Sequence, residues 1–354
     1  MIHFVTAAVL GCIAAFGTTS SALAQSPGQF YAGRSVTLIV PTAPGGINDI
    51  SGRLVARYLA RHVPGKPAIV VQNQPGAGGI ANANVLYNSA ERDGSVLSMM
   101  ERAMPQAAIM GDPNARFDPL KFTWLGSLSS YGRDAYVLLI NTRHPAKSVT
   151  DLKGTAAPNG TGMRANLGGN RSGSTNLTFA LIARDILGLN INVIRGYTGA
   201  APMFIAQQRG EIDGQVIGYA SVQSGQPDLW KAGQLKPIVQ FGRATRLPEL
   251  PDVPTGRELA PSDEARALIA FAELPFQMAL PLVAPPGLPA ERTAALRAAF
   301  QAMVADPAFL GDAARIGLEI SPIDGEAIIA LLQRSKATPP QVIERYRQLA
   351  GGGG

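Results

Sequence analysis

Between Ser35 and Met99 the chain repeats one unit, a short apolar strand-like run followed by a longer run with helical spacing. That alternation limits the available folds more than any other feature. The strand-like runs are Ser35 to Pro41, Ala68 to Asn73 and Ser95 to Met99, and the helical runs are Ile50 to His62 and Ile80 to Ala90. Such βαβαβ order predicts an α/β architecture, a mainly parallel sheet with helices on its faces. In the first helical run Ile50, Leu54, Tyr58 and Leu59 share one stripe while Arg53, Arg57 and Arg61 share another, so one face is expected against the sheet. Pro64-Gly65 ends that run.

A second series has strand candidates at Tyr136 to Ile140, Ile191 to Ile194, Asp213 to Gly218 and Pro237 to Phe241, with helices near Thr175 to Leu187 and Pro202 to Arg209. Two similar α/β lobes account for both series. A proline-rich stretch follows (Pro248, Pro251, Pro254), then a strand candidate from Gln277 to Val283 and two amphipathic helices. One of these, Ala290 to Ala305, sets Leu296, Phe300 and Met303 on one face and stops at Asp306-Pro307. The expected division is lobe 1 from residues 25–138 and 242–354 and lobe 2 from 139–241. Chain crossings near 136–141 and 237–243 would serve as a hinge between the lobes.

Residues 1–24 contain no Asp, Glu, Lys or Arg, run apolar from Phe4 to Phe16, and end Ser21-Ala22-Leu23-Ala24 before Gln25. This reads as a signal peptide cleaved near Ala24, which places the mature chain in the periplasm. The apolar run is too short to span a bilayer. A rival reading is lipidation at Cys12, in Val9-Leu10-Gly11-Cys12. Because Cys12 is the only cysteine, the mature chain is expected to have neither disulfides nor thiolate chemistry. About 330 residues would remain, enough for two domains. The formal charge of +6 comes from scattered Lys and Arg, with two Trp in the whole chain and no interleaving of basic and aromatic residues. Nucleic-acid binding is therefore not expected; the charge reads as a solvated basic surface, with a field that steers anionic ligands as the rival reading.

The run Val40-Pro41-Thr42-Ala43-Pro44-Gly45-Gly46-Ile47-Asn48-Asp49 leads a strand through a glycine turn into a helix, with Asn48 or Asp49 as the expected cap. Free amides at such a turn and at the helix N-terminus attract carboxylates and phosphates. A second turn, Asn73-Gln74-Pro75-Gly76-Ala77-Gly78-Gly79-Ile80-Ala81, fits G-x-G-x-x-A, but Pro75 opens it and Glu101 is the nearest acid where a ribose-binding one would stand. No nucleotide cofactor is expected. In the second series, Gly168-Gly169-Asn170-Arg171-Ser172-Gly173-Ser174-Thr175-Asn176 supplies hydroxyls, amides and one guanidinium suited to a carboxylate. Arg102, Arg133 and Arg195 follow or end strands and are candidate charge partners, as is Arg171. Catalysis and metal binding are not expected. His62 and His144 lack metal-ligand spacing, G-x-S-x-G is absent, and Asp49, Asp213 and Glu101 show no acid–base pairing in the sequence.

At Pro41 to Asp49 the chain resembles the Bug family, extracytoplasmic solute receptors of tripartite tricarboxylate transporters. The likeness runs from about Ser35 to Tyr346. It takes in the Asn73 to Gly79 turn, Arg92-Asp93-Gly94, Gly173-Ser174-Thr175, Gly196-Tyr197-Thr198-Gly199, Gly210-Glu211-Ile212-Asp213-Gly214, Leu250-Pro251-Asp252-Val253-Pro254-Thr255 and Ala284-Pro285-Pro286-Gly287. The resemblance implies a Venus-flytrap (type II-like periplasmic-binding-protein) fold with a carboxylate in the cleft between its lobes. It also implies no catalysis, a monomer, and either transporter subunits or a sensor as partner. Carried over by position, ligand contacts are expected from Thr42, Ala43, Gly45, Gly46, Asn48 and Asp49, from Gly76, Ala77, Gly78 and Gly79, and from Ser172, Gly173, Ser174, Thr175 and Asn176. Arg102, Tyr197 and Asp213 complete the expected set. Where this chain has Thr42 the family often has Phe, and where it has Asn176, His. Both changes bear on the size and polarity of the pocket.

Overall fold

The computed structural model describes residues 25–154 and 162–351. The expected signal segment 1–24, with Cys12, lies outside these residues. The first sheet contains β1 (Ser35–Val40), β2 (Ala68–Asn73), β3 (Val96–Met99), β4 (Thr123–Ser127), β10 (Pro281–Ala284) and β11 (Ile323–Asp324), in the order β11-β4-β10-β3-β1-β2. The second contains β5 (Tyr136–Asn141), β6 (Ala165–Gly169), β7 (Ile191–Arg195), β8 (Gly214–Gly218) and β9 (Leu235–Phe241), in the order β7-β6-β8-β5-β9. The fold is thus α/β with two lobes, each built on one sheet.

Both sheets are mixed, where a mainly parallel arrangement was expected. β1, β2 and β3 are parallel, as are β6, β7 and β8. β10 runs antiparallel to β3 and β4, and β5 runs antiparallel to β8 and β9. Of the exceptions, β5 and β10 enter a sheet from the other lobe, and β11, a two-residue strand antiparallel to β4, follows first-lobe helices. A βαβ crossover forces its two strands to be parallel, and a strand arriving from elsewhere is free of that constraint. The chain leaves β4 at Ser127 and enters β5 at Tyr136, which pairs with Phe241 at the end of β9. The entry into the second sheet therefore lies beside the end of β9.

Helix α1 (Ile47–His62) buries Leu54, Tyr58 and Leu59 on the first sheet, as its apolar stripe predicts. Ile50 is the exception and stays exposed, because Asp49 and Ser51 are the side chains turned inward in the first turn. Helix α2 (Ile80–Asn88) follows the second glycine turn. In the second lobe, α3 (Thr175–Asp185) buries nearly its whole first two turns, and α4 (Ala200–Arg209) covers β8 through Met203 and Gln207.

The late helices divide between the lobes. α6 (Ala290–Ala305) packs Leu296, Phe300 and Met303 on the first sheet, and α7 (Gly325–Lys336) places Ile328 and Leu332 beside Trp124 of β4. By contrast α5 (Asp263–Ala272) and α8 (Pro340–Ala350) bring Leu268, Phe271, Val342 and Tyr346 into the core of the second sheet. Part of the 242–354 segment grouped by sequence with lobe 1 therefore packs on lobe 2. The apolar stripes of α5 and α8 face each other, and α8 also packs against α3, all in the core of the second sheet.

Candidate functional site

In the first lobe the strand-to-helix turn is held by Asp49. Helix α1 begins at Ile47 with Gly46 as N-cap and no side-chain cap, so the expected cap at Asn48 or Asp49 is replaced by a glycine. Asp49 instead folds back. Its carboxylate accepts from the Gly45 N–H at 2.9 Å and from Asn73 Nδ2 at 2.9 Å, and pairs with Arg53 at 2.9 Å. The Arg53 hydrogen bond and the Gly45 amide pull its pKa from 3.8 to about 2. Asp49 is 3% exposed and spends its charge inside the turn. Gly45, at φ +92, takes a backbone conformation that L side chains rarely adopt.

What the turn leaves open are amides. The first in-helix bond runs from Ile50 N to Gly46 O at 2.9 Å, so the N–H groups of Ile47, Asn48 and Asp49 have no intrahelical acceptor. Ala43, Gly45 and Gly46 are exposed. Thr42 accepts from Asn73 Nδ2 through its carbonyl at 3.0 Å, while its buried hydroxyl has no partner. The second glycine turn reaches the same place. A Cβ on Gly79 would stand 2.7 Å from Glu101 Cβ, and Glu101 in turn accepts from Asn48 Nδ2 at 3.0 Å. Asn48, Gly79 and Glu101 therefore converge at the carboxyl ends of β1, β2 and β3, and Gly76, Ala77 and Gly78 lead the chain there.

Arg102, next along the chain, points toward the other lobe. Its guanidinium stands 4.9 Å from the Phe276 ring centroid, and Phe276 packs 4.8 Å from Tyr131 and 5.0 Å from Tyr136. Burial raises the pKa of the Tyr131 hydroxyl, and the neighbouring Arg102 charge draws it part of the way back. Arg102 takes part in none of the ion pairs among the described residues. It is a half-buried cation without a carboxylate, at the junction of the lobes.

In the second lobe a cleft of ≈ 260 Å³ opens where β6 ends and α3 and α4 begin, lined by Tyr136, Asn170, Ser174, Thr175, Asn176, Ala200, Met203, Gln215, Val216 and Ile217. No lining residue carries a charge. Asn176 is 6% exposed and engaged by its own loop. Its Oδ1 accepts from Ser174 Oγ at 2.9 Å and from Leu177 N at 2.7 Å, and its Nδ2 donates to Asn170 Oδ1 at 3.1 Å. Ser174 is the N-cap of α3, and Thr175 its first residue. Hollows of ≈ 440 and ≈ 500 Å³ lie on outer helical faces. The smaller cleft is the one where strand ends and helix N-termini meet, which is where open α/β sheets bind ligands.

Several expected residues lie off this convergence. Gly173 donates to the carbonyl of Ala350 at 2.9 Å, which ties the Ser172-Gly173 corner to α8 rather than to the cleft. Asp213 stands at the start of β8 and accepts from Asn166 N at 2.7 Å, at the opposite end of the strand pair. Tyr197 packs on Met203 behind the cleft wall. Arg195 lines a groove with Leu181 and Arg345, and Arg133 and Arg171 are exposed. Sequence reading passed over Tyr136, Met203 and Gln215. Gln215 did leave a signal, a lone amide inside the apolar run Gly214-Gln215-Val216-Ile217-Gly218.

Among the described residues no group of three or more acidic, His or Cys side chains could hold a metal ion. His62 pairs with Asp306 at 3.2 Å, and His144 caps a turn through Arg164 O and Ala146 N.

The family model described as tripartite tricarboxylate transporter family receptor matches residues 53–347. A UPF0065 protein of Bordetella pertussis is 27% identical over 302 residues, covering 85% of this chain and 84% of its own length. The crystal structure of a TctC solute binding protein from Polaromonas, without ligand, superposes with a TM-score of 0.68 at 22% identity, over 89% of this chain and 99% of that one. An R. palustris structure with adipate gives a TM-score of 0.56 at 23% identity, over 90% and 98%.

Proposed function

Because the chain belongs to the tripartite tricarboxylate transporter receptor family, we propose that it is an exported solute receptor that closes its two lobes on a small carboxylate and presents it to a membrane transporter. The observation that carries the carboxylate is Arg102, a half-buried guanidinium without an acidic partner among the described residues, beside a turn whose helix-start amides are also unmatched. Unmatched donors on one lobe facing a neutral cleft on the other suit a ligand with one anionic end. Adipate in the R. palustris structure is an acid of the same broad class on the same fold.

Closure follows from the hinge. The chain passes between the lobes between β4 and β5, between α5 and β10, and between α7 and α8, so rotating one lobe on the other bends three segments and brings Arg102 and the Gly46 turn over the second-lobe cleft. Ligand in that gap loses water, which strengthens each charge-assisted hydrogen bond to it. No step in this cycle requires a covalent change in the ligand. Export by the 1–24 segment would leave the mature receptor in the periplasm.

A thermal-shift screen of mature protein against mono-, di- and tricarboxylates tests the proposal. A ligand selective for the folded state, at 100 times its Kd, adds about 2.7 kcal/mol and raises the melting temperature by several degrees. A screen in which neutral sugars shift melting and no acid does contradicts it.

A further inference from the structure

The second-lobe cleft contains a buried acceptor that the protein does not satisfy. Gln215 is 0% exposed and donates from Nε2 to Gln207 Oε1 at 3.1 Å, while its own Oε1 has no hydrogen-bond partner. A flipped amide is not an escape. Gln207 spends its own nitrogen on the carbonyl of Asp213 at 3.3 Å, so it can offer Gln215 only an oxygen, and Gln215 must answer with nitrogen. The oxygen is left over in a residue that lines the cleft. A buried polar atom without a partner costs on the order of a full hydrogen bond, and a ligand that supplies the donor recovers it.

Charge restricts the same ligand from the other side. Among the described residues Arg102 is a cation at the convergence with neither a carboxylate nor a carbonyl partner. Arg243 beside it, by contrast, spends its guanidinium on the carbonyls of Thr245, Tyr131 and Asp134, and the acid nearest the turn, Glu101, has the neutral Asn48 amide as its donor. The second-lobe cleft adds no charge. A second carboxylate on the ligand would find no free cation there and would lie near Glu101.

We propose that the solute is a monocarboxylate whose far end carries a hydrogen-bond donor, a hydroxyl or an ammonium, that reaches Gln215 Oε1. This rests on the carboxylate reading above and names its substrate class. The carboxylate stays with Arg102 and the first-lobe amides, and the donor end enters the neutral cleft. A hydroxyl and an ammonium share the donor chemistry, and the titration below distinguishes them.

Isothermal titration with matched series of three- to six-carbon acids tests this, each series comprising the plain monocarboxylate, its terminal hydroxy and amino forms, and the dicarboxylate. At the length that fits, a donor-bearing acid should bind on the order of tenfold tighter than both the plain acid and the dicarboxylate. Gln215→Met, which keeps the volume and removes the acceptor, should abolish that preference and leave the plain acid unchanged or improved. Melting of the unliganded variant reports whether it folds, and Gln207→Met, which frees Gln215 to rotate, gives a second reading of the same preference. Dicarboxylates binding tightest, or plain acids matching their donor-bearing forms, overturns the inference and leaves the carboxylate reading standing. Binding of no acid at all defeats both.

Discussion

The turn at Gly45-Gly46 and the loop at Asn170–Asn176 solve one local problem in two ways. Each joins a strand to a helix, and each is locked by an acceptor from the helix's first turn that folds back onto the loop. In the first lobe that acceptor is the Asp49 carboxylate, balanced by Arg53, and in the second it is the neutral Asn176 amide. An ionic lock leaves backbone amides and a nearby guanidinium free, so the first lobe reads charge. An amide lock beside uncharged walls lets the second lobe read shape and hydrogen bonding. On the proposed function, two sheets of like construction divide recognition between them, and the ligand joins them only when both ends fit.

The largest effect expected is on binding. Arg102→Gln should weaken every carboxylate by roughly 10- to 100-fold, the worth of a charge-assisted hydrogen bond of about 1.5–3 kcal/mol, and leave the unliganded melting temperature within a few degrees of wild type. Titration calorimetry checks it. An equal loss in a second-lobe variant such as Thr175→Ala would break the proposed division.

Next comes the amide lock. Asn176→Ala strips the acceptor from Ser174 Oγ and Leu177 N and should cost about 2 kcal/mol of stability at any pH, read from denaturant unfolding.

Asp49→Asn should cost less, about 1 kcal/mol near neutral pH, because Arg53 is more than half exposed and screened. Its pH dependence is the sharper result. A carboxyl whose folded pKa is lowered contributes stability that is present above its ordinary 3.8 and is lost as pH falls toward about 2. The gap between wild type and Asp49→Asn should therefore close across that window, whereas the gap for Asn176→Ala should not respond to Asp49's titration.

The smallest effect expected is that of Gly46→Val. A Cβ there meets nothing within 4 Å and the backbone is extended, so folding should change by less than about 1 kcal/mol, the range of N-cap substitutions. Affinity should fall several-fold, because the branched side chain crowds the exposed helix-start amides. Unchanged affinity would remove the turn from the site.

Much of this was legible in the sequence. The alternation of strand and helix signals gave the two α/β lobes, and Leu296, Phe300 and Met303 marked the buried face of α6 before its partner was known. The chain also belongs to the receptor family that its turns resemble. Two five-residue strands escaped notice: β4, Thr123–Ser127, and β6, Ala165–Gly169, which ends in two glycines, are too short to show a period. The antiparallel entry of β5 and β10 depends on which lobe the chain has just left, and no local pattern encodes that. Glycine turns advertise the first half of the site, since backbone amides need glycine. The second half of the proposed site is the cleft lined by Tyr136, Met203 and Gln215, ordinary residues that come together only when three elements converge. Asp213 and Gly173 misled for the matching reason: polar residues near strand ends also serve the fold, here by fastening Asn166 and α8.

The most direct test of the central claim is a crystal structure of the mature protein with the tightest acid from the screen. The account predicts closed lobes, the carboxylate within hydrogen-bond distance of Arg102 and the amides at the start of α1, and the far end in the cleft beside Gln215. A carboxylate bound away from the first-lobe turn, or an acid seated in the outer groove between α5 and α8, would contradict it.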